Sequence, residues 1–324
     1  MKIFIAETYR DNSIIELISG NVGLFQEPLT SEPFIKAKTL ESSDAILVPH
    51  DAYYFDRFPD YLNYLNALSK SKLVIFSDRG DFPKKPKITN SVALRVAINP
   101  GESRYRKIVI PYNIENLSFL PYKKLEAKLT VSFVGFMPKI SMGRIKHTLQ
   151  QSPLHPIKGN GAVVRLLMDR TLSKADIAYS CTPRNSYGAL DVGQNDLGKN
   201  RAEYLASISE SDLVACPRGD ANQSARFYET LSAGRIPCVP DTSIVFPNVE
   251  EVKLNSLLIK FPFRHKILEF LVAEYFKSIR TQSEYNSIQR DLRDFFQRNL
   301  RFEPIVKNMF TSDKNGFMKM ANFS

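Results

Sequence analysis

The sequence predicts an α/β protein with two successive parallel sheets covered by helices. Three observations carry this expectation. Apolar runs alternate with helical spacings through the first half of the chain, and the alternation resumes beyond a charged stretch at residues 122–128. A strand–loop–helix–strand unit then occupies Asp212 to Asp241. Short apolar runs suit strands buried on both faces, and parallel neighbours need a crossover between them. At 324 residues the chain is long enough for two cores. We therefore expect a first domain over residues 1–125, a second over 126–300, and a final segment, 301–324, packing on the first.

Taken in order, the first strands are expected at Ile3–Ala6, Ala45–Val48, Leu73–Phe76, Ala93–Val96 and Ile108–Ile110. Leu62, Leu65 and Leu68 make Tyr61–Lys70 the clearest helix between them. Two strands run into polar residues, Pro49-His50-Asp51 and Ser77-Asp78-Arg79-Gly80-Asp81. In a doubly wound sheet the ligand lies beyond the carboxyl ends of the strands. Thr130–Val134 opens the second domain and meets Gly135, and Arg144 starts a helix reaching Gln150. Ala162–Met168 is a further apolar run, and residues 180–199, rich in Asn, Gly, Pro and Ser, read as an irregular connection. Arg201–Ile208 is a short helix. A helical pattern from His265 to Asn299, broken near Thr281, carries Ile267, Phe270, Leu271 and Tyr275, then Leu292, Phe295 and Phe296, as a packing stripe.

The central unit is the most informative. Leu213–Cys216 is a buried strand, ended by Pro217 and Gly219, with a polar loop through Gln223. Ser224 suits an N-cap whose hydroxyl accepts from a first-turn amide. Phe227 and Leu231 give the helix an apolar edge, and Gly234 is a C′ stop. Ile236–Val239 returns as a strand, with Pro237 arguing for a sheet edge. The amides at Ser224 and Ala225, aided by the helix dipole, attract an anion beside the Gly219 loop. A cation in the first turn opposes that dipole by about 0.3–1 kcal/mol, so Arg226 is misplaced unless an anion binds there. A diphosphate clamped by Arg218 and Arg226 would resolve this, and Glu229, one turn on, would accept both hydroxyls of a ribose. The rival expectation is a surface Arg226–Glu229 pair over an ordinary helix start.

Cys216-Pro-Arg-Gly219, then Ser224-x-Arg226-Phe-Tyr-Glu229, then Ala233-Gly-x-Ile236-Pro-x-Val239 resembles the signature of exostosin-like glycosyltransferases. Weaker echoes lie at Leu47-Val-Pro49, Ile110-Pro-Tyr112, and Ser132-Phe-Val-Gly135 followed by Arg144. The resemblance covers most of the chain from Asp44 to Asp241. It implies a GT-B fold, two Rossmann-like domains facing across a cleft with C-terminal helices crossing back to the first. It also implies inverting transfer of a sugar from a nucleotide donor, such as a UDP-sugar, to a hydroxyl of a glycan or lipid-linked glycan. Gly135 then belongs to the donor site, and Arg144 is either a diphosphate contact or a solvated helix residue. Inversion needs a base on the acceptor side, and His50, Asp51, Asp78 and Asp81 are the candidates. Tyr53, Tyr54 and Phe55 read as core or cleft wall.

Composition limits the alternatives. Net charge is +10, dispersed apart from Lys84-Lys85-Pro-Lys87 and Arg104-Tyr-Arg106-Lys107. Basicity favours anionic partners, yet no nucleic-acid-binding motif is visible, so no nucleic acid partner is expected. Cys181, Cys216 and Cys238 form neither a disulfide framework nor a zinc spacing, which points to a reducing cytoplasm. Without an Asp-x-Asp pair, and with His50, His147, His155 and His265 scattered, metal-independent chemistry without a cofactor is expected. The absence of an apolar span departs from the membrane-anchored animal exostosins. It suggests a bacterial-type enzyme of surface polysaccharide synthesis, with peripheral contact at the inner membrane face. The competing functions are a GT-B nucleotide-sugar epimerase, which needs no acceptor, and a non-catalytic basic module binding nucleic acid or anionic glycan.

Overall fold

Two separate parallel sheets form in the computed structural model, which describes residues 1–6, 35–51, 55, 58–78, 88–138, 155, 157–185, 194–247 and 251–321. The chain divides into two units. One comprises Met1–Asn113, Val245–Asn248 and Arg301–Ser324; the other comprises Ile114–Ile244 and Val249–Leu300. The charged stretch expected as the crossing therefore lies inside the second unit. One parallel sheet per unit, with interleaved helices, is the α/β arrangement expected from the sequence.

In the first unit, strands β1 (Lys2–Ile5), β2 (Ile35–Lys36), β3 (Ala45–Asp51), β4 (Leu73–Asp78), β5 (Ser91–Arg95) and β6 (Lys107–Val109) pair in the order β2-β1-β3-β4-β5-β6. Every pairing is parallel. Strand alternation sends successive side chains to opposite faces. Ile46, Val48, Val74 and Phe76 pack with Phe55 and with Tyr61 and Leu65 of helix α1 (Pro59–Ser69). Ala45, Leu47, Leu73, Ile75 and Val92 point the other way and meet Phe302, Val306, Phe310 and Phe317. Those four belong to two helices, Phe302–Thr311 and Lys314–Met320. The first sheet thus has one face covered by the last segment of the chain, and the Met1 amino group donates to the Phe310 carbonyl at 3.2 Å.

In the second unit, strands β7 (Thr130–Phe136), β8 (Ala178–Arg184), β9 (Leu213–Ala215), β10 (Ile236–Pro240) and β11 (Ile259–Phe261) pair in the order β11-β10-β9-β7-β8, again all parallel. Between and after them run α2 (Gly161–Lys174), α3 (Gln194–Glu210), α4 (Ala225–Ser232), α5 (Glu251–Ser256), α6 (His265–Phe276) and α7 (Gln282–Asn299). No helix among the described residues is long and apolar enough to cross a membrane.

Three expectations are corrected here. The supposed irregular connection contains β8 and the first turns of α3. Strand β8 is at the sheet edge and partly exposed throughout, so it carries no apolar run to betray it. Pro237 lies in an interior strand rather than at an edge. Its neighbours Ile236 and Cys238 bond to the β9 side, leaving the proline nitrogen facing β11, whose pairing begins only at Cys238. The stripe on α6 is out of phase: Leu268, Val272 and Phe276 are buried, while Phe270 is 62% exposed. The break at Thr281 is an N-cap with a full capping box to Glu284, which starts α7 cleanly.

Helix α7 packs on the end of α4. Gly234 has φ +70°, and a Cβ there would meet the Gln289 carbonyl oxygen at 2.7 Å, so glycine serves both the turn and the close approach. Arg235, fully buried, donates to the carbonyls of Ile208, Ser209, Ala233 and Pro121 and to Gln289 Oε1, at 2.8–3.1 Å. Burial pushes its guanidinium down to about 10, and it stays charged at neutral pH.

Candidate functional site

The first unit ends β3 and β4 in polar residues. His50 and Asp51 are the last residues of β3; His50 falls within an irregularity in its pairing with β4, which resumes at Asp51. Asp78 closes β4, and its carboxylate lies 3.1 Å from Nε of Arg95, a side chain with no exposure. Arg95 also pairs with Glu102, and Lys107 reaches the same carboxylate at 2.9 Å. Burial alone would raise the Glu102 carboxyl, but the charges of Arg95 and Lys107 and its hydrogen bonds hold it below the usual range. Asp78 is therefore part of a buried charge cluster that ties β4 to β5 and the turn after it. Asp81 and Arg144 lie outside the described residues.

The second unit builds its polar centre at the start of α4. Ser224 occupies the N-cap with extended backbone, φ −140° and ψ 131°, as its chemistry predicts. Its hydroxyl, however, makes no cap bond, contrary to expectation. The carbonyl of Ser224 instead accepts from the Phe227 amide at 3.0 Å. Ala225 begins the helix. Arg226 turns back beneath the sheet end: Nη2 donates to the Val134 carbonyl at 2.5 Å, and the guanidinium carbon sits 4.7 Å from the Phe133 ring centre. Gly135 permits this, since a Cβ there would lie 2.7 Å from Arg226 Nη2. The glycine and arginine that sequence places far apart are thus one contact.

Arg218, the other expected diphosphate clamp, lies within the loop after β9. Its side chain is buried, and its nitrogens donate to the carbonyls of Lys158 (2.9 Å), Gly219 (3.3 Å) and Asp220 (2.5 Å). A polar loop that runs inside the unit must satisfy its carbonyls, and a forked guanidinium does this at three points. Gly219 itself sits against α2: a Cβ on Gly161 would strike its carbonyl oxygen at 2.2 Å. From α2, Arg165 donates to the carbonyls of Arg218 (3.3 Å) and Phe136 (2.9 Å). The loop after β9, the end of β7 and the start of α2 are therefore held as one frame.

Glu229 does not pair with Arg226. Its side chain is 13% exposed, with Oε1 accepting from Arg201 Nη1 at 3.0 Å and Oε2 from the Tyr204 hydroxyl at 2.5 Å. Arg201 also meets Glu115 at 2.7 Å. Partial burial pulls the Arg201 guanidinium down, but Glu115 and Glu229 outweigh it and leave it above its ordinary value. Burial pushes the Tyr204 phenol well above its usual range. Tyr204 also faces Arg226, whose guanidinium carbon is 5.6 Å from its ring centre. Sequence inspection missed both α3 residues, although their three-residue spacing beside the polar loop puts them on one helix face. Arg226, Tyr204 and Glu229 form a continuous cluster able to meet an anion at one end and hydroxyl donors at the other. Among the described residues, no three His, Cys, Asp or Glu side chains gather as a metal site.

The sequence matches no protein-family model and no curated protein. By structure the chain is similar to TarM, at 9% identity over 81% of this chain and 57% of that one, with a TM-score of 0.36. The chain thus spans little more than half of TarM. It is similar also to the catalytic domain of starch synthase IV from Arabidopsis thaliana bound to ADP and acarbose (8% identity, 86% and 72% covered, TM-score 0.41). A third is the lipopolysaccharide outer core galactosyltransferase WaaB (12% identity, 96% and 99% covered, TM-score 0.43).

Proposed function

We propose that this chain is an inverting glycosyltransferase whose second unit binds the nucleotide-sugar donor at the start of α4. The observation that carries this is the placement on α4 of Arg226, seated by Gly135 at the end of β7, one turn before a Glu229 fixed by Arg201 and Tyr204. The exostosin-like string through these residues supports the same reading and suggests UDP as the nucleotide and a glycan as acceptor. Arg226 and the first-turn amides meet the diphosphate, and Glu229 accepts the ribose hydroxyls. The base belongs to the first unit, among His50, Asp51 and Asp78. Of these, Asp78 already holds Arg95.

Losing a charge-assisted hydrogen bond costs about 1.5–3 kcal/mol, or ten- to hundred-fold in affinity. Glu229→Gln is therefore expected to weaken the best-binding nucleoside diphosphate by that factor in calorimetry while the chain still folds cooperatively, at a somewhat lower melting temperature because the bond to Arg201 loses its charge. Equal affinity in the variant would refute the ribose assignment. Leaving-group charge is met by Arg226 and helix amides rather than by a metal. Transfer should accordingly keep its rate in excess EDTA; a loss restored by manganese or magnesium would contradict that.

A further inference from the structure

Both carboxylate oxygens of Glu229 are gripped by one turn of α3. Arg201 takes Oε1 and Tyr204 takes Oε2. The two donors also stack, with the Arg201 guanidinium carbon 5.2 Å from the Tyr204 ring centre. Glu115 steadies Arg201 from the other side through Nη2. The grip is thus built from outside the α4 motif, on a helix that nothing in the string around Glu229 specifies.

The chemistry of a carboxylate shows what such a grip achieves. An ionised carboxylate offers about four acceptor positions. Two are occupied by α3, and two remain, the number of vicinal hydroxyls on a ribose. An ungripped carboxylate turns freely and accepts from one hydroxyl as readily as from two. A fixed one presents its two open positions in a set direction, which favours a diol. Tyr204 and Arg201 both keep their protons at neutral pH, so each remains a donor to Glu229.

We propose that Arg201 and Tyr204 are positioning residues that lock Glu229 for a vicinal diol and so set the donor site's preference for ribonucleotides over 2′-deoxyribonucleotides. Through its ring, Tyr204 also ties that orientation to Arg226. The proposal rests on Glu229 being the ribose residue.

The test compares two probes on the full chain by calorimetry: whichever of UDP, GDP and ADP stabilises it most in a thermal-shift screen, and the 2′-deoxy form of that nucleotide. The wild type should prefer the ribonucleotide by about ten-fold or more, the loss expected for one hydrogen bond to a charged group. Tyr204→Phe and Arg201→Ala should each erase most of that preference. If both variants keep the wild-type ratio, the positioning role is overturned. A purely structural role would lower stability, or affinity for both nucleotides together, and leave the ratio unmoved. If the wild type binds both nucleotides equally and Glu229→Gln is silent as well, the ribose assignment fails and takes this proposal with it. Should Tyr204→Phe not fold, Arg201→Ala carries the comparison alone, since that side chain is 36% exposed.

Discussion

Arg226→Ala is expected to slow sugar transfer about 10²–10³-fold at saturating donor, the loss typical of removing one preorganised group that meets developing charge. Negative charge on the leaving diphosphate grows as the bond to the sugar breaks, so a fixed cation there stabilises the transition state more than the bound donor. KM should therefore rise less than kcat falls. The effect on stability should be small, because its parts oppose one another. Contacts with Phe133 and Tyr204 and the bond to the Val134 carbonyl favour the arginine. Cation–ring contacts are worth about 0.5–2 kcal/mol. Against them stands the helix dipole, which a first-turn cation opposes by about 0.3–1 kcal/mol. Single-turnover rates beside melting curves separate chemistry from packing. A variant that melts early but transfers at the wild-type rate would reduce Arg226 to a packing residue.

Arg235→Met is expected to have the largest effect on stability, about 3–5 kcal/mol, because several buried acceptors lose a donor at about 1–3 kcal/mol each. Methionine approximates the apolar stem but supplies no donors. The carbonyls of Ile208 and Ser209 lie in the last turn of α3, and that of Ala233 caps α4. Helix ends leave such carbonyls without internal partners, and they carry the negative end of the dipole. One buried cation answers two helix ends, and adds Pro121 and Gln289 Oε1. Removing the charge recovers part of its desolvation cost, which keeps the net loss below the sum of the stranded acceptors. In a unit of this size the melting temperature should fall by roughly 10 °C. Arg235→Lys should recover little, since a single ammonium cannot span acceptors on both helices. A shift under about 1 kcal/mol by calorimetry would mean that desolvation cancels the bonds, and the network is then not what joins α3 to α4.

Where burial was continuous, the elements were legible as strings. Leu73–Phe76 and Leu213–Ala215 are buried throughout and read as apolar runs. Strand β8 was not legible, because an edge strand left partly exposed along its length has little reason to be a continuous apolar run. On α6 the helix was legible but its phase was not: Ile267 and Phe270 are as apolar as Leu268 and Val272, and only the neighbouring elements decide which pair is covered. The candidate site at the start of α4 divides in the same way. Ser224 and Gly234 bound α4 as their torsional preferences require. The partners of Glu229 come from 28 and 25 residues upstream, and no local spacing connects them to it.

By itself the sequence determined where the continuously buried strands run and where α4 begins and ends. Those outcomes follow from backbone torsions, capping chemistry and the period of apolar residues, all of which act within a few positions. The tertiary structure alone decided which polar groups meet. The buried Arg218 side chain donates to the carbonyls of Gly219 and Asp220 in its own loop and to that of Lys158, sixty residues upstream. Glu229, for which the sequence offered Arg226 as the nearest cation, is held instead by α3, which packs beside β7, where the Ser132 hydroxyl bonds to the Ser207 carbonyl. A buried charge takes whichever partner the packing brings within reach, and that is a property of the assembled unit rather than of any stretch of chain.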